Sequence, residues 1–317
     1  MARELLTYSA RNLANWMEYL PSQLQELQLT QLLIPGSHNS ANFRDTSIEA
    51  IDEAVTCYLG RRQPTKQHYS SGQPTQTLNF NQQLAMGIRY FDIRVEYTES
   101  KGLVLMNCKH DFTVSETFQS INDFLDVHPK EVVILDVTAF HNLFEDHHER
   151  LINCMTKIFG TKLQHMCPSD ELNLKDLWLN EKQVMIIYHD EKVASYRWDC
   201  FSGNNLEISD LRTVDNLKKM SAFKVGKRSM DVFHCTRWIS KRNAVSRSTL
   251  AACTGKKPPV SINEAFPAWF EKRSRKSSRL NILAFDMISD EDLVKFIVQK
   301  NWLSIKLTQC ITYESNV

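Results

Sequence analysis

Five residues spread along the chain each follow or close a short apolar run. His38 comes two residues after a Pro-Gly break in LLIPGSHNSANF, Asp92 and Arg94 sit in GIRYFDIRVEY, His110 in LVLMNCKHDF and Asp286 in NILAFDMI. Two imidazoles, a guanidinium and two carboxylates suit the cleavage of a phosphodiester. That reaction needs a base for the attacking hydroxyl, an acid for the leaving oxygen and fixed positive charge for the charge that builds on phosphorus oxygens. Histidine titrates near neutral pH, so one imidazole can start neutral and the other protonated. Arginine stays charged, and its planar fork matches phosphate oxygens two at a time.

The elements that must position this set read as strands at Leu32–Ile34, Ile88–Val95, Leu103–Cys108, Val132–Val137, Val184–His189, Val232–Ile239 and Ile282–Ile288. Helical patterns alternate with them at Thr77–Ala85, Val114–Val127, Leu143–Phe159, Ser209–Met220, Ile262–Arg275 and Asp290–Asn301. Such alternation is the signature of a mainly parallel α/β architecture, and the number of strands approaches that of a barrel. Side chains on a strand alternate faces, so Asp92 and Arg94 share one face, and Ile282, Ala284 and Asp286 another. All five residues then fall at carboxyl ends of strands, the face on which parallel barrels build their sites. A competing reading makes Asp92 and Arg94 a buried ion pair without chemistry.

With 317 residues and 42% hydrophobic content the chain can bury a full core. Its formal charge of +1 hides an asymmetry: Lys224–Arg279 holds 14 Lys and Arg against three acids, a local net of +11. Eight scattered cysteines with no C-x-x-C read as reduced thiols. The opening MARELLTYSARNLANWMEYL has no basic segment followed by an apolar run, and no N-x-S/T sequon occurs, so a cytoplasmic location is expected. Apolar runs such as EVVILDV and QVMIIY are far too short to span a bilayer, which leaves peripheral contact as the expected relation to membranes.

Residues 1–30 read as a helical lead-in packed on a barrel formed by 31–317, a single α/β domain. Two stretches break the alternation: a polar inserted loop at about 44–76, containing RRQPTKQHYSSGQPTQ, and a basic irregular stretch at about 243–259. His147 and His148, in the polar FEDHHER, read as a solvated helix face.

At IPGSHNS, LAMGIRYFDIRV, CKHDF with INDFLDVHPKEVVILDV, and NILAFDMI, the sequence resembles the phosphatidylinositol-specific phospholipase C X-domain family. Within it, the stand-alone X-domain-containing members are most similar, down to the entry NWMEYLPSQLQELQLTQLLIPGSH. The resemblance runs over Asn15–Asn301 and is densest up to Phe140. It implies a distorted TIM-like (β/α) barrel whose bacterial relatives cleave phosphatidylinositol without metal. His38 matches the general base that deprotonates the inositol 2-hydroxyl, and His110 the acid that protonates the diacylglycerol oxygen. Arg94 matches the phosphate-binding arginine, Asp286 the carboxylate that orients the base, and Asp92 a supporting carboxylate. A cyclic inositol phosphate would be the first product.

Asn39 departs from the metal-independent pattern, which places Asp after the first histidine; an amide carries no charge to keep His110 protonated. The calcium-dependent branch of the family has Asn there as a ligand, but it also has an acid where this chain has Arg94, and a guanidinium repels a divalent ion. The expectation is therefore no cofactor and no metal, calcium being the weaker alternative. Asp136 and Thr138, sharing a face at the end of VVILDVTAF, either contact headgroup hydroxyls, with Asn39, or cap the barrel core. His189, ending QVMIIYH, either lines the headgroup pocket or is a satisfied buried histidine.

The function expected is a phosphoric diester hydrolase acting on a phosphoinositide or related lipid, with the basic EKRSRKSSR stretch against an anionic membrane. The alternative is a phosphoinositide-binding adaptor of the same fold with little turnover. No aromatic-interleaved basic motif points to nucleic acid. Oligomeric state leaves no signature in the sequence.

Overall fold

Among the described residues nine strands form one sheet: β1 Ile34–Ser37, β2 Tyr90–Thr98, β3 Gly102–Leu105, β4 Val133–His141, β5 Val184–Tyr188, β6 Phe201–Ser202, β7 Leu206–Leu211, β8 Phe233–Trp238 and β9 Ile282–Phe285. The computed structural model from which they are drawn describes residues 11–43, 74–106, 112–167, 172–190, 200–212, 232–239, 262–272 and 280–301. The order β6-β5-β4-β2-β1-β9-β8-β7 places the first strand between the second and the last, which wraps the sheet into a parallel barrel. One seam stays open, between β6 and β7. Only Gly203–Asn205 join those two strands, whereas parallel neighbours need a crossover of about a dozen residues, so they cannot pair with each other. The architecture is the expected distorted TIM-like α/β barrel.

Among the described residues the α-helices are α1 Ser22–Gln25, α2 Phe80–Ala85, α3 Val114–Val127, α4 Glu145–Phe159, α5 Leu174–Leu179, α6 Ile262–Glu271 and α7 Glu291–Lys300, with short 3-10 turns such as Leu13–Asn15 and Gly203–Asn205 between elements. α3 shows why they form where they do. Thr113 and Glu116 close a capping box at its start, and Val114, Phe118, Ile121 and Leu125 bury one stripe at three- and four-residue spacing. α7 repeats the device, with Asp290 accepting from Asp292 N and Leu293 N and with Leu293, Val294, Ile297 and Val298 inward.

At the amino-terminal end of the barrel the lead-in is locked by a fully buried ion pair. Arg89 Nε donates to Glu131 Oε2 at 2.8 Å, and its Nη2 to the Ala14 carbonyl at 2.8 Å. Glu131 Oε1 accepts from the Met17 and Glu18 amides at 3.0 and 3.1 Å. Trp16 and Leu24 add completely buried apolar surface beside it.

Four sequence expectations are corrected. The Pro-Gly break does not end the first strand: β1 runs through Pro35 and Gly36 to Ser37, because the Pro35 carbonyl still accepts from Arg89 N at 2.9 Å. The helix expected at Ser209–Met220 begins inside strand β7, whose Leu206–Leu211 pair residue by residue with Phe233–Trp238; the rest of that helix lies outside the described residues. The strand expected at Leu103–Cys108 is the short β3, which folds back antiparallel on β2 and is not a stave of the barrel. His147 and His148 are buried rather than solvated: His147 stacks on Tyr97 with ring centroids 3.7 Å apart, and His148 Nδ1 lies 2.7 Å from the Tyr188 hydroxyl. Most of the inserted loop, and the 243–259 stretch, lie outside the described residues.

Candidate functional site at the carboxyl end of the barrel

β1 pairs with β2 through Ser37 and Phe91 and with β9 through Ser37 and Phe285. His38 therefore emerges one residue beyond the last rung, between the ends of both neighbours. Its amide donates to Phe285 O at 3.1 Å, and Asn39 then turns the chain at φ 46°, a left-handed conformation that asparagine tolerates better than most residues. Asp286, the first residue past β9, meets the imidazole: His38 Nδ1 lies 2.7 Å from Asp286 Oδ1, and that carboxylate is fully buried.

A carboxylate at Nδ1 assigns the ring proton to that nitrogen and leaves the lone pair on Nε2. The Nε2 atom faces Arg94, whose Nη2 donates to it at 3.1 Å and to Asp92 Oδ2 at 3.0 Å. Asp92 is fully buried and receives more: the Asn39 amide at 2.9 Å on Oδ2 and the Thr138 hydroxyl at 2.6 Å on Oδ1. Burial pushes this carboxyl up, but the charge and hydrogen bond of Arg94, then His38 and Thr138, outweigh it and hold it below the usual carboxylate range. The result is a buried anion that aims a partly exposed guanidinium at the base.

A second group lies on β4 and β5. Asp136 accepts from the Tyr90 hydroxyl at 2.5 Å and from His189 Nε2 at 2.7 Å. Burial raises the Asp136 carboxyl, while at His189 the lowering effect of burial is overcome by the hydrogen bond and charge of Asp136, so its imidazole holds a proton to higher pH than usual. Burial, and then the Asp136 charge, lift the Tyr90 phenol well above its ordinary range. Tyr90 stays a donor throughout.

Sequence reasoning thus brought together His38, Asp92, Arg94, Thr138 and Asp286 in one hydrogen-bonded cluster, with Asp136 and His189 paired beside it. His110 lies outside the described residues. The described chain next to it is tied in: Met106 N donates to Arg94 O at 2.8 Å, and Leu105 N to Phe112 O at 3.3 Å. Missed were Tyr90, Arg237 and Asp210. Arg237 Nε donates to Asp210 Oδ1 at 2.7 Å across β8 and β7, and its charge opposes protonation of His189. The alternation Phe233, Cys235, Arg237 could have found the arginine; Asp210 was hidden by the misread helix.

The donors do not form a good cation shell. Asn39 Oδ1 is buried without a partner, but Asp92 has both oxygens engaged and Arg94 stands against them. Among the described residues no group of three or more His, Cys, Asp or Glu could hold a metal ion.

Comparison with known proteins bears on the family and the fold. The family profile described as phosphatidylinositol-specific phospholipase C, X domain, matches residues 60–189. PI-PLC X domain-containing protein 3 of Danio rerio is 36% identical over 311 residues, covering 91% of this chain and 93% of that protein. The Homo sapiens protein of the same description is 29% identical over 316 residues, covering 92% and 94%. In fold, the chain is similar to the phosphatidylinositol-specific phospholipase C from Listeria monocytogenes, with a TM-score of 0.59 at 19% identity over 91% of this chain and 98% of that one. A Staphylococcus aureus phosphatidylinositol-specific phospholipase C gives 0.58 at 14% identity over 92% and 99%. Ordered motifs, barrel and full-length relatives converge, and the chain belongs to the PI-PLC X domain-containing protein family.

Proposed function

We propose that the protein is a phosphoric diester hydrolase that cleaves phosphatidylinositol or a related inositol phospholipid by acid-base catalysis. One observation carries the reading: an imidazole with Asp286 at one nitrogen and a guanidinium at the other. Substrate phosphate draws Arg94 away from His38 Nε2 and is held by its fork. The freed Nε2 takes the proton of the inositol 2-hydroxyl, and that oxygen attacks phosphorus while Asp286 stabilises the imidazolium that forms. The bond from phosphorus to the diacylglycerol oxygen breaks, His110 supplies that oxygen with its proton, and a cyclic inositol phosphate leaves the mouth. Asp92 keeps Arg94 aimed, and Asn39, Asp136, Thr138 and His189 line the headgroup side. No step requires a metal.

The membrane enters as a peripheral surface, through the basic residues of the 271–279 stretch. One of the similar Staphylococcus aureus structures carries membrane binding in its description, which supports a lipid surface as the place of action. Phosphorus NMR of phosphatidylinositol vesicles incubated with the purified chain tests the chemistry. A cyclic phosphate resonance is expected, and its absence together with vesicle binding would favour the second reading.

That second reading, a phosphoinositide-binding adaptor with little turnover, is favoured by Asn39. Its side chain brings no charge to the acid step, and its oxygen is left without a partner. The variant Asn39→Asp separates the two: a large gain in headgroup release from a feeble parent supports the adaptor, whereas no gain over an active parent removes its motivation.

A further inference from the structure

Gln76 closes the stretch read from sequence as an inserted polar loop, yet it is almost completely buried, with 1% of its surface exposed. Its carboxamide is used at both ends. Nε2 donates to the His38 carbonyl at 2.9 Å and to the Phe285 carbonyl at 2.8 Å, and Oε1 accepts from the Ile288 amide at 3.3 Å. Thr75 supports the same joint: its hydroxyl donates to Asn39 O at 2.8 Å, and its carbonyl accepts from Met287 N at 2.6 Å.

The β1–β9 ladder ends at the Ser37–Phe285 rung, and His38 and Asp286 lie just past it. Past that rung the only backbone bond between the two chains among the described residues is His38 N to Phe285 O at 3.1 Å, so their other polar groups need side-chain partners to hold them together. A single carboxamide adds three bonds, two from its N–H groups and one to its oxygen. The amide orientation is fixed as well, because a flipped group would set its oxygen against two carbonyls.

We infer that Gln76 is a positioning residue that sets the His38–Asp286 hydrogen bond by tying the ends of β1 and β9 together. It touches neither substrate nor the reacting nitrogen; it acts through the backbone of the residues on either side of the pair. The same tie roots the return of the 44–76 excursion at the site, since Gln76 also bridges to Phe43 at its departure. Its kinetic consequence rests on the phosphodiesterase reading above, but its geometric consequence does not.

The test uses the full chain, with Gln76→Met, which keeps size and removes all three bonds, and Gln76→Glu, which keeps the acceptor for Ile288 and sets a carboxylate against two carbonyls. In proton-nitrogen NMR the His38 Nδ1–H bonded to Asp286 gives a downfield resonance, and Asp286→Ala abolishes it. Both Gln76 variants are expected to lose or broaden that resonance; its persistence unchanged in either folded variant overturns the inference. On phosphatidylinositol vesicles kcat should fall by about 10- to 100-fold with KM within about twofold. Added to Asp286→Ala, Gln76→Met should cost less than about threefold more, because both act on one interaction. Full additivity would make Gln76 a general structural residue and overturn the inference. A parent with no turnover would sink the phosphodiesterase reading, and the resonance would still decide the role of Gln76.

Discussion

His38 is flanked by two buried carboxylates that act on it in different ways. Asp286 touches it and fixes the tautomer; Asp92 reaches it through Arg94. Replacing Asp286 by Asn keeps an oxygen acceptor and removes the charge that stabilises the imidazolium, so kcat should fall by about 100-fold or more with KM nearly unchanged. Steady-state kinetics on vesicles reads this directly, and an equal rise in KM with constant kcat would contradict it. The Asp136–His189 pair carries a pH signature. Because the folded state raises the affinity of His189 for its proton, the pair's contribution to stability is full below about pH 6.5, the unfolded value, and is lost as pH rises through the folded value. The advantage of the parent over His189→Gln in urea denaturation should shrink from pH 6 to pH 9; an advantage that grows would contradict the assignment. These residues were legible to different degrees for a physical reason. Asp92, Arg94 and Thr138 in apolar strands, and Asp286 just past the end of one, are polar side chains at in-facing positions, an anomaly that alternation exposes. Tyr90 is a normal barrel residue until its hydroxyl is found on Asp136, and no pattern in the chain announces that bond.

Strands and turns hold this chemistry in register, and two glycines mark where they come too close for a side chain. A Cβ on Gly36 would lie 2.8 Å from Tyr90 Cδ1, and Tyr90 cannot swing aside without leaving Asp136. Gly36→Ala should therefore cost about 1–3 kcal/mol and lower the urea midpoint; an unchanged midpoint would show that the ring is free to move. Gly203, in the turn that spans the open seam, stands against His189: a Cβ there would lie 2.6 Å from its Nδ1. α3 was legible to the residue, because its capping box and apolar stripe are local signals. β7 was not. Its side chains alternate over only six residues, and its identity as a strand comes from pairing with β8, a neighbour distant in the sequence. The direction of β3 was illegible for a similar cause, since a strand's pattern does not say whether its neighbour runs with it or against it.

On the scale of the whole molecule, the barrel separates tasks between its ends. The amino-terminal end carries the Arg89–Glu131 lock, in which burial lowers the affinity of the guanidinium for its proton and raises that of the carboxyl, so each group is maintained by the other. Glu131→Ala leaves Arg89 buried and unpaired and frees the Met17 and Glu18 amides. A loss of about 3–5 kcal/mol in urea unfolding is expected, with little change in activity of the folded fraction; a loss below about 1 kcal/mol would contradict the account. The carboxyl end carries His38, Asp92, Arg94 and Asp286, the described charged groups proposed for the reaction. Among the described residues no helix is long and apolar enough to cross a membrane.

The central claim is that His38, oriented by Asp286 and facing Arg94, drives lipid headgroup release without a metal. The most direct measurement is the initial rate of water-soluble headgroup release from phosphatidylinositol vesicles by the parent chain and His38→Ala, each with and without a calcium chelator. The account predicts release by the parent that the chelator leaves unchanged and that falls by about 100-fold or more in the variant. Undiminished release by His38→Ala, or release that the chelator abolishes and calcium restores, would contradict it.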